Sequence, residues 1–280
     1  LKYPHVAIGT VASSAPILQF DYITPWNSFY DAVSQDYKSE SLNCFSFIKE
    51  TWDVVDERGA SDKGLLELSK IFRARNSSEH ERLIMLFATK TFADVQDHRR
   101  FPVNIDIMEK VFAAGNLYYN YTGDLTCNPI EDEDDPHGLG GWQWQACTEM
   151  IMPMTVSNES MFPPSSFSYD ETSDECLQSW GVRPRPHWIA TEYGGYKIDK
   201  VLKRFGSNII FSNGMRDSRG RVLKNISSSI IALVTEKGAH HLDFRSAVKG
   251  DPDWVIEQRR QEIEIIQGWI DPYHQDAVEV

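Results

Sequence analysis

Apolar positions change their spacing several times along this chain. Residues 5–13, His-Val-Ala-Ile-Gly-Thr-Val-Ala-Ser, form a compact run with β-branched members that closes in Ser-Ser-Ala-Pro, the pattern of a buried strand leaving its sheet. From Leu42 the interval becomes three and four. Leu42, Phe45, Ile48, Trp52 and Val55 define an amphipathic helix, with Gly59 as its expected C-cap. The same period runs through 65–72, 83–95 and 107–118, so roughly residues 25–120 read as one helical subdomain. Over 121–190 turn formers dominate, including Gly140-Gly141, Pro163-Pro164 and Arg183-Pro184-Arg185-Pro186, and the stretch reads as loops. Beyond residue 205 two apolar runs, 208–214 and 230–235, read as buried parallel strands. Asp251-Pro252-Asp253 then opens a last helix whose expected apolar stripe is Ile256, Ile263, Ile266 and Ile270. A strand, a helical middle and a strand, strand, helix ending make an α/β chain.

Composition narrows the partners. With 28 Lys+Arg against 41 Asp+Glu the net charge is −13, which repels phosphate backbones and anionic lipid, so nucleic acid is not an expected partner. No stretch approaches the roughly 18 uninterrupted apolar residues of a membrane span, so no membrane partner is expected either. The start, Leu1-Lys2-Tyr3-Pro4, does not have the basic-then-apolar layout of a signal peptide. Asn76, Asn120, Asn158 and Asn225 nevertheless each open an N-x-S/T sequon, and Cys44, Cys127, Cys147 and Cys176 match no zinc spacing. Sequons and disulfide-forming cysteines together point to the secretory route, with an N-terminus expected upstream. The acidic run 131–136 does not alternate as a calcium loop does and reads as solvated surface, so no metal and no cofactor is assigned.

In parallel α/β sheets the reactive groups sit on loops at the carboxyl ends of strands. Here those loops carry Asp217 and, 23 residues on, His240. An acid followed by a base is the order of a hydrolase triad: a neutral imidazole must take the proton of a serine, and a carboxylate must hold its tautomer. By spacing alone, a turn-capping Asp217 and satisfied loop histidines, His240 and His241, serve equally well.

Longer words then accumulate: Lys2-Tyr-Pro-His, Ala12-Ser-Ser-Ala-Pro-Ile, Tyr118-Tyr-Asn-Tyr, Trp144-Gln-Ala-Cys-Thr-Glu, Trp180-Gly-Val-Arg-Pro-Arg-Pro, Phe211-Ser-Asn-Gly and Gly238-Ala-His-His-Leu-Asp. In these the whole chain resembles the family of serine exopeptidases that includes lysosomal Pro-X carboxypeptidase and dipeptidyl peptidase II. The resemblance implies an α/β-hydrolase core interrupted by a helical cap, drawn at 1–22 and 196–280 for the core and 23–195 for the cap. It implies Asp217 as triad acid, His240 as triad base and a Cys147–Cys176 disulfide in the cap, a cross-link worth about 3 kcal/mol. Met152 is then either a wall of a proline pocket or ordinary core. A peptide with proline near the scissile bond, a homodimer, and a lysosomal, vacuolar or extracellular site are implied too.

The chain also departs from that family. Its nucleophile stands in a Gly-x-Ser-x-Gly elbow just before the Lys-Tyr-Pro-His word, and no such elbow occurs in the 280 residues. The elbow supplies an oxyanion-hole N–H as well, and strands precede it, so the expected sheet is incomplete and its core marginal. After Asp217 the family pattern Pro-Trp-Ser-Gly-Gly is replaced by Ser-Arg-Gly-Arg, which puts Arg219 where an apolar wall belongs. Cys44 and Cys127 stand without their usual partners and are either free or joined to each other. Two functions follow: the C-terminal part of a proline-directed serine exopeptidase working by an acyl-enzyme, or a catalytically silent homologue that at most binds peptides or a partner. Without the elbow, a relocated nucleophile such as Ser13 or Ser14 is the remaining route to activity.

Overall fold

The computed structural model describes residue 3 and residues 5–73, 106–119, 123–124, 139–217 and 221–278. The helix expected over 83–95, the acidic run 131–136, Asn76, Asn120, Cys127 and Arg219 lie outside the described residues. By compactness the chain divides into two units, one of Leu1–Glu40, Gly140–Ser160 and Pro164–Val280, the other of Ser41–Leu139 and Met161–Pro163. Boundaries at 22/23 and 195/196 are those the resemblance implies, whereas these units follow packing and place residues 23–40, 140–160 and 164–195 with the sheet.

The first unit is built on three parallel strands, β1 (Thr10–Ser13), β2 (Ile209–Gly214) and β3 (Ile230–Thr235), in the order β1-β2-β3. Register pairs Ala12 with Phe211 and Phe211 with Ala232. Strand β2 is central and buried along its whole length: Ile209, Ile210 and Phe211 are apolar, and Ser212 and Asn213 are buried with hydrogen bonds to Glu262 and to the Val222 carbonyl. Leu202, Ile209, Phe211, Val222 and Ile230 form the core over the sheet, each buried aliphatic or aromatic side chain contributing about 1.5–3 kcal/mol. Helices α1 (Ser28–Glu40), α5 (Leu139–Thr148), α6 (Tyr169–Trp180), α7 (Trp188–Glu192), α8 (Ile198–Phe205) and α9 (Asp253–Val278) belong to this unit. The second unit holds α2 (Leu42–Gly59), α3 (Asp62–Phe72) and α4 (Ile107–Tyr119). Ile48, Trp52, Val55, Leu68, Phe72, Met108 and Val111 fill its interior, and the Trp52 indole N–H donates to the Met161 carbonyl at 2.9 Å. Among the described residues no helix is long and apolar enough to cross a membrane.

Several expectations are corrected. Strand β1 starts at Thr10 rather than His5, and Val6, 73% exposed, joins Ile8, Ile266, Trp269 and Ile270 around a trough of about 370 Å³. Strand β3 lies at the edge of the sheet and is only part-buried. Gly59 is the last residue of α2 and not its cap: Ala60 occupies that position with right-handed φ of −66°, so no glycine is needed there. The stretch expected as loops contains α5, α6 and α7. Helix α6 is defined by Ser168, whose hydroxyl accepts the Glu171 N–H at 3.3 Å, and by Gly181, which ends it at φ +67°. The expected stripe of α9 is wrong at two positions, since Ile256 and Ile263 are 53% and 65% exposed. The buried face runs instead through Val255, Gln258 and Glu262, because Ser212 in β2 bonds the latter two side chains.

Candidate active site

Asp217 and His240 come from the loops that follow β2 and β3, the carboxyl ends of neighbouring parallel strands. Two glycines bring those loops together. Gly214 ends β2 and Gly238 lies in the next loop, and a Cβ on Gly238 would stand 2.9 Å from the Gly214 Cα. Backbone bonds then tie the loops, from Met215 N–H to Thr235 O at 2.8 Å and from Arg216 N–H to Gly238 O at 3.0 Å. The result is a contact of 3.1 Å between His240 Nδ1 and Asp217 Oδ2. The Asp217 side chain is 3% exposed and that of His240 39%, so the carboxylate is screened from water while the ring keeps an open edge. With Nδ1 engaged by the carboxylate, Nε2 is the nitrogen left to take a proton from a nucleophile.

Positive charge gathers behind the acid. Arg221 is half-buried, donates to the Gly214 carbonyl, and faces both Asp217 and Asp36. Burial pushes its guanidinium below its ordinary value, and the two carboxylates pull it back up. Asp36, in α1, is raised by burial and lowered by Arg216 and Arg221. Arg216 in turn pairs with Glu40 at the end of the same helix. Carboxylates of α1 thus balance two arginines of the loop after β2, one of which also acts on Asp217.

The other candidates distribute as follows. Cys147 and Cys176 are joined, with an S–S distance of 2.04 Å and Cα atoms 5.5 Å apart, linking α5 to α6. Cys44 is a free, buried thiol. Met152 lies half-buried on the extended segment after α5. Asn158 and Asn225 are exposed, and the Asn225 side-chain oxygen accepts the Ala232 N–H at 2.8 Å. Sequence reasoning misses Gly214 and Gly238 as joining residues, although both stand inside words it singles out. It names Ser13 only as a relocated nucleophile and assigns no role to Asp243, and the structure joins these two side chains at 2.6 Å beside the two histidines.

Comparison with known proteins identifies the family. The profile of a family described as serine carboxypeptidase S28 matches residues 1–101 and 94–263. The chain is similar to lysosomal Pro-X carboxypeptidase of Bos taurus, with 34% identity over 98% of this chain and 60% of that protein. For its counterpart in Homo sapiens the identity is 32% over 99% and 61%. A Caenorhabditis elegans protein, prolyl carboxy peptidase like protein 5, is 27% identical over 96% and 62%. The chain thus spans about three fifths of the length of these relatives.

Proposed function

The chain belongs to the serine carboxypeptidase S28 family, and on that premise we propose that it works in a serine-type exopeptidase that hydrolyses peptides next to proline. The observation that carries this reading is the Asp217–His240 pair, which presents Nε2 of a carboxylate-held imidazole at the carboxyl edge of a parallel sheet. In the acyl-enzyme path His240 takes the proton of a serine hydroxyl as it attacks the scissile carbonyl, Asp217 stabilises the imidazolium, and His240 returns the proton to the leaving amine. Water then repeats the cycle on the ester. The serine belongs to a Gly-x-Ser-x-Gly elbow that the 280 residues do not contain.

The same proposal takes in the α/β-hydrolase core with a helical cap insertion, Met152 as a wall of the proline slot, and a homodimer. A lysosomal or otherwise secretory location is supported by the names of the relatives and by the Cys147–Cys176 bond, which needs an oxidising compartment to form. Exposure supports glycosylation at Asn158 and Asn225, and at Asn225 the bond to Ala232 uses the oxygen and leaves the amide nitrogen for a sugar.

One observation favours the silent alternative: Arg221 stands where it competes with His240 for the charge of Asp217. Fluorophosphonate labelling with peptide mapping, beside an assay on proline-containing peptides, separates the two readings. A serine adduct and turnover, both lost in His240→Ala, support the peptidase. No adduct and no turnover from the 280 residues mark either a fragment whose serine lies elsewhere or a homologue that only binds, and joining a Gly-x-Ser-x-Gly segment decides between them: turnover then supports the peptidase, and none supports the silent homologue.

A further inference from the structure

A second hydrogen-bonded chain lies against the Asp217–His240 pair. Ser13, the last residue of β1, donates its hydroxyl proton to Asp243 Oδ1 at 2.6 Å. The same Ser13 oxygen stands 3.3 Å from Nδ1 of His241. A serine has one proton to give, and an ionised carboxylate accepts without donating. With that proton spent on Asp243, the hydrogen between Ser13 and His241 must come from the ring, so His241 carries its proton on Nδ1. The His241 ring then lies with its centroid 3.7 Å from that of His240. His240 is therefore held on one side by a carboxylate and on the other by a ring whose own orientation is set by Asp243 through Ser13.

Backbone geometry at this contact is unusual in the same sense. Ser14 and His241 both adopt left-handed conformations, φ +50° and +57°, which are strained for residues other than glycine. They are bonded to each other, His241 N–H donating to Ser14 Oγ at 3.1 Å. The second carboxylate oxygen of Asp243 is buried without a hydrogen-bond partner, a penalty that simple packing would avoid. From the far side Arg259 of α9 donates to the carbonyls of Leu242, Asp243 and Arg245 at 2.8–3.0 Å, so the loop is clamped between β1 and α9. Strain and an unpaired buried oxygen are tolerated where they hold a site in one geometry.

We infer that Asp243 and Ser13 are positioning residues, which lock His241 as its Nδ1–H tautomer and, through the contact between the two tilted rings, fix the plane of the base His240. The tautomer stands on its own, whereas the effect on turnover rests on the peptidase reading. The test is ¹⁵N imidazole NMR of the full chain, in which the two neutral tautomers have distinct shifts, with Ser13→Ala, Asp243→Asn and Ser13→Thr compared with the parent. The expected result is an Nδ1–H His241 in the parent, a tautomer mixture and a moved His240 resonance in Ser13→Ala and Asp243→Asn, and recovery in Ser13→Thr, which keeps the hydroxyl. Where the elbow serine is supplied, kcat on a proline-containing peptide falls about 10- to 100-fold in the first two variants with KM little changed. An Nε2–H His241 in the parent overturns the inference even if no variant folds, as do variant spectra identical to the parent's. Turnover tests the peptidase reading alone, and the NMR result decides the tautomer whether or not turnover is seen.

Discussion

A methyl group placed on Gly214 would sit 1.9 Å from the carbonyl oxygen of Gly238, and no rearrangement of a flexible side chain can relieve that overlap because a Cβ is fixed by its backbone and the oxygen belongs to one. These two residues set the separation of the loops that carry Asp217 and His240. Gly214→Ala is expected to cost about 3 kcal/mol, the upper range for overpacking, and to lower the melting temperature on the order of 10 °C. Differential scanning calorimetry reads it. A variant that melts with the parent would show that the two loops are not held by this contact.

Stability should rise toward acid pH through one buried side chain. Glu262 in α9 bonds the Ser212 hydroxyl at 2.7 Å, and burial pushes its carboxyl above the ordinary glutamate range, with Asp243 adding to the shift and the bonds from Ser212 and Gln258 opposing it. A raised folded value means that the fold binds the proton more tightly than the unfolded chain does. The contribution is fully present below about pH 4.3 and is lost as pH rises through the elevated value. Urea unfolding at a series of pH values should therefore show the parent weakening relative to Glu262→Gln between acid and neutral pH. Parallel curves would count against a buried, proton-binding Glu262.

The Arg58–Asp106 pair of the helical unit has the opposite sign. Its guanidinium nitrogens lie 3.1 and 2.5 Å from the two carboxylate oxygens, and Asp106 also accepts the Met108 N–H at 2.8 Å at the start of α4. The bond from Arg58 holds the Asp106 carboxyl below its ordinary range, so its contribution is present above about pH 3.9 and is lost as pH falls through the depressed value. Because the pair is largely solvated, Asp106→Asn, which keeps a capping oxygen, should cost about 1 kcal/mol or less at neutral pH and nothing at strongly acid pH. Chemical denaturation at the two pH values checks the sign.

How much of this is legible in the sequence depends on how local the cause is. The three strands follow from compact apolar runs, and Asp217 and His240 follow from standing just past two of them. Helix α6 is legible in principle, through Ser168 and Gly181 at its ends, but the surrounding turn formers outweigh those two signals. The inward face of α9 cannot be read from apolar spacing because Gln258 and Glu262 are polar residues buried for their bonds to Ser212. The link between Ser13 and Asp243 spans 230 positions, and no periodicity encodes it. Local patterns thus reach the three strands and the neighbouring Asp217 and His240, and pairings across the chain supply the rest.

Chemical labelling should resolve the cysteines in two steps. Burial pushes the Cys44 thiol above its ordinary value, and only thiolate reacts with iodoacetamide, so native protein at pH 8 should label Cys44 slowly and unfolded protein quickly. Cys147 and Cys176 should stay unlabelled in both states until a reductant is added. Reduction opens a cross-link whose ends are 29 residues apart, and the loss of that constraint on the unfolded chain should cost about 3 kcal/mol. Non-reducing peptide mapping provides the counter-test. A peptide joining Cys44 to Cys127, or rapid alkylation of Cys44 in the folded chain, would refute the buried free thiol, while an unchanged melting curve after reduction would refute the stabilising role of the bond between α5 and α6.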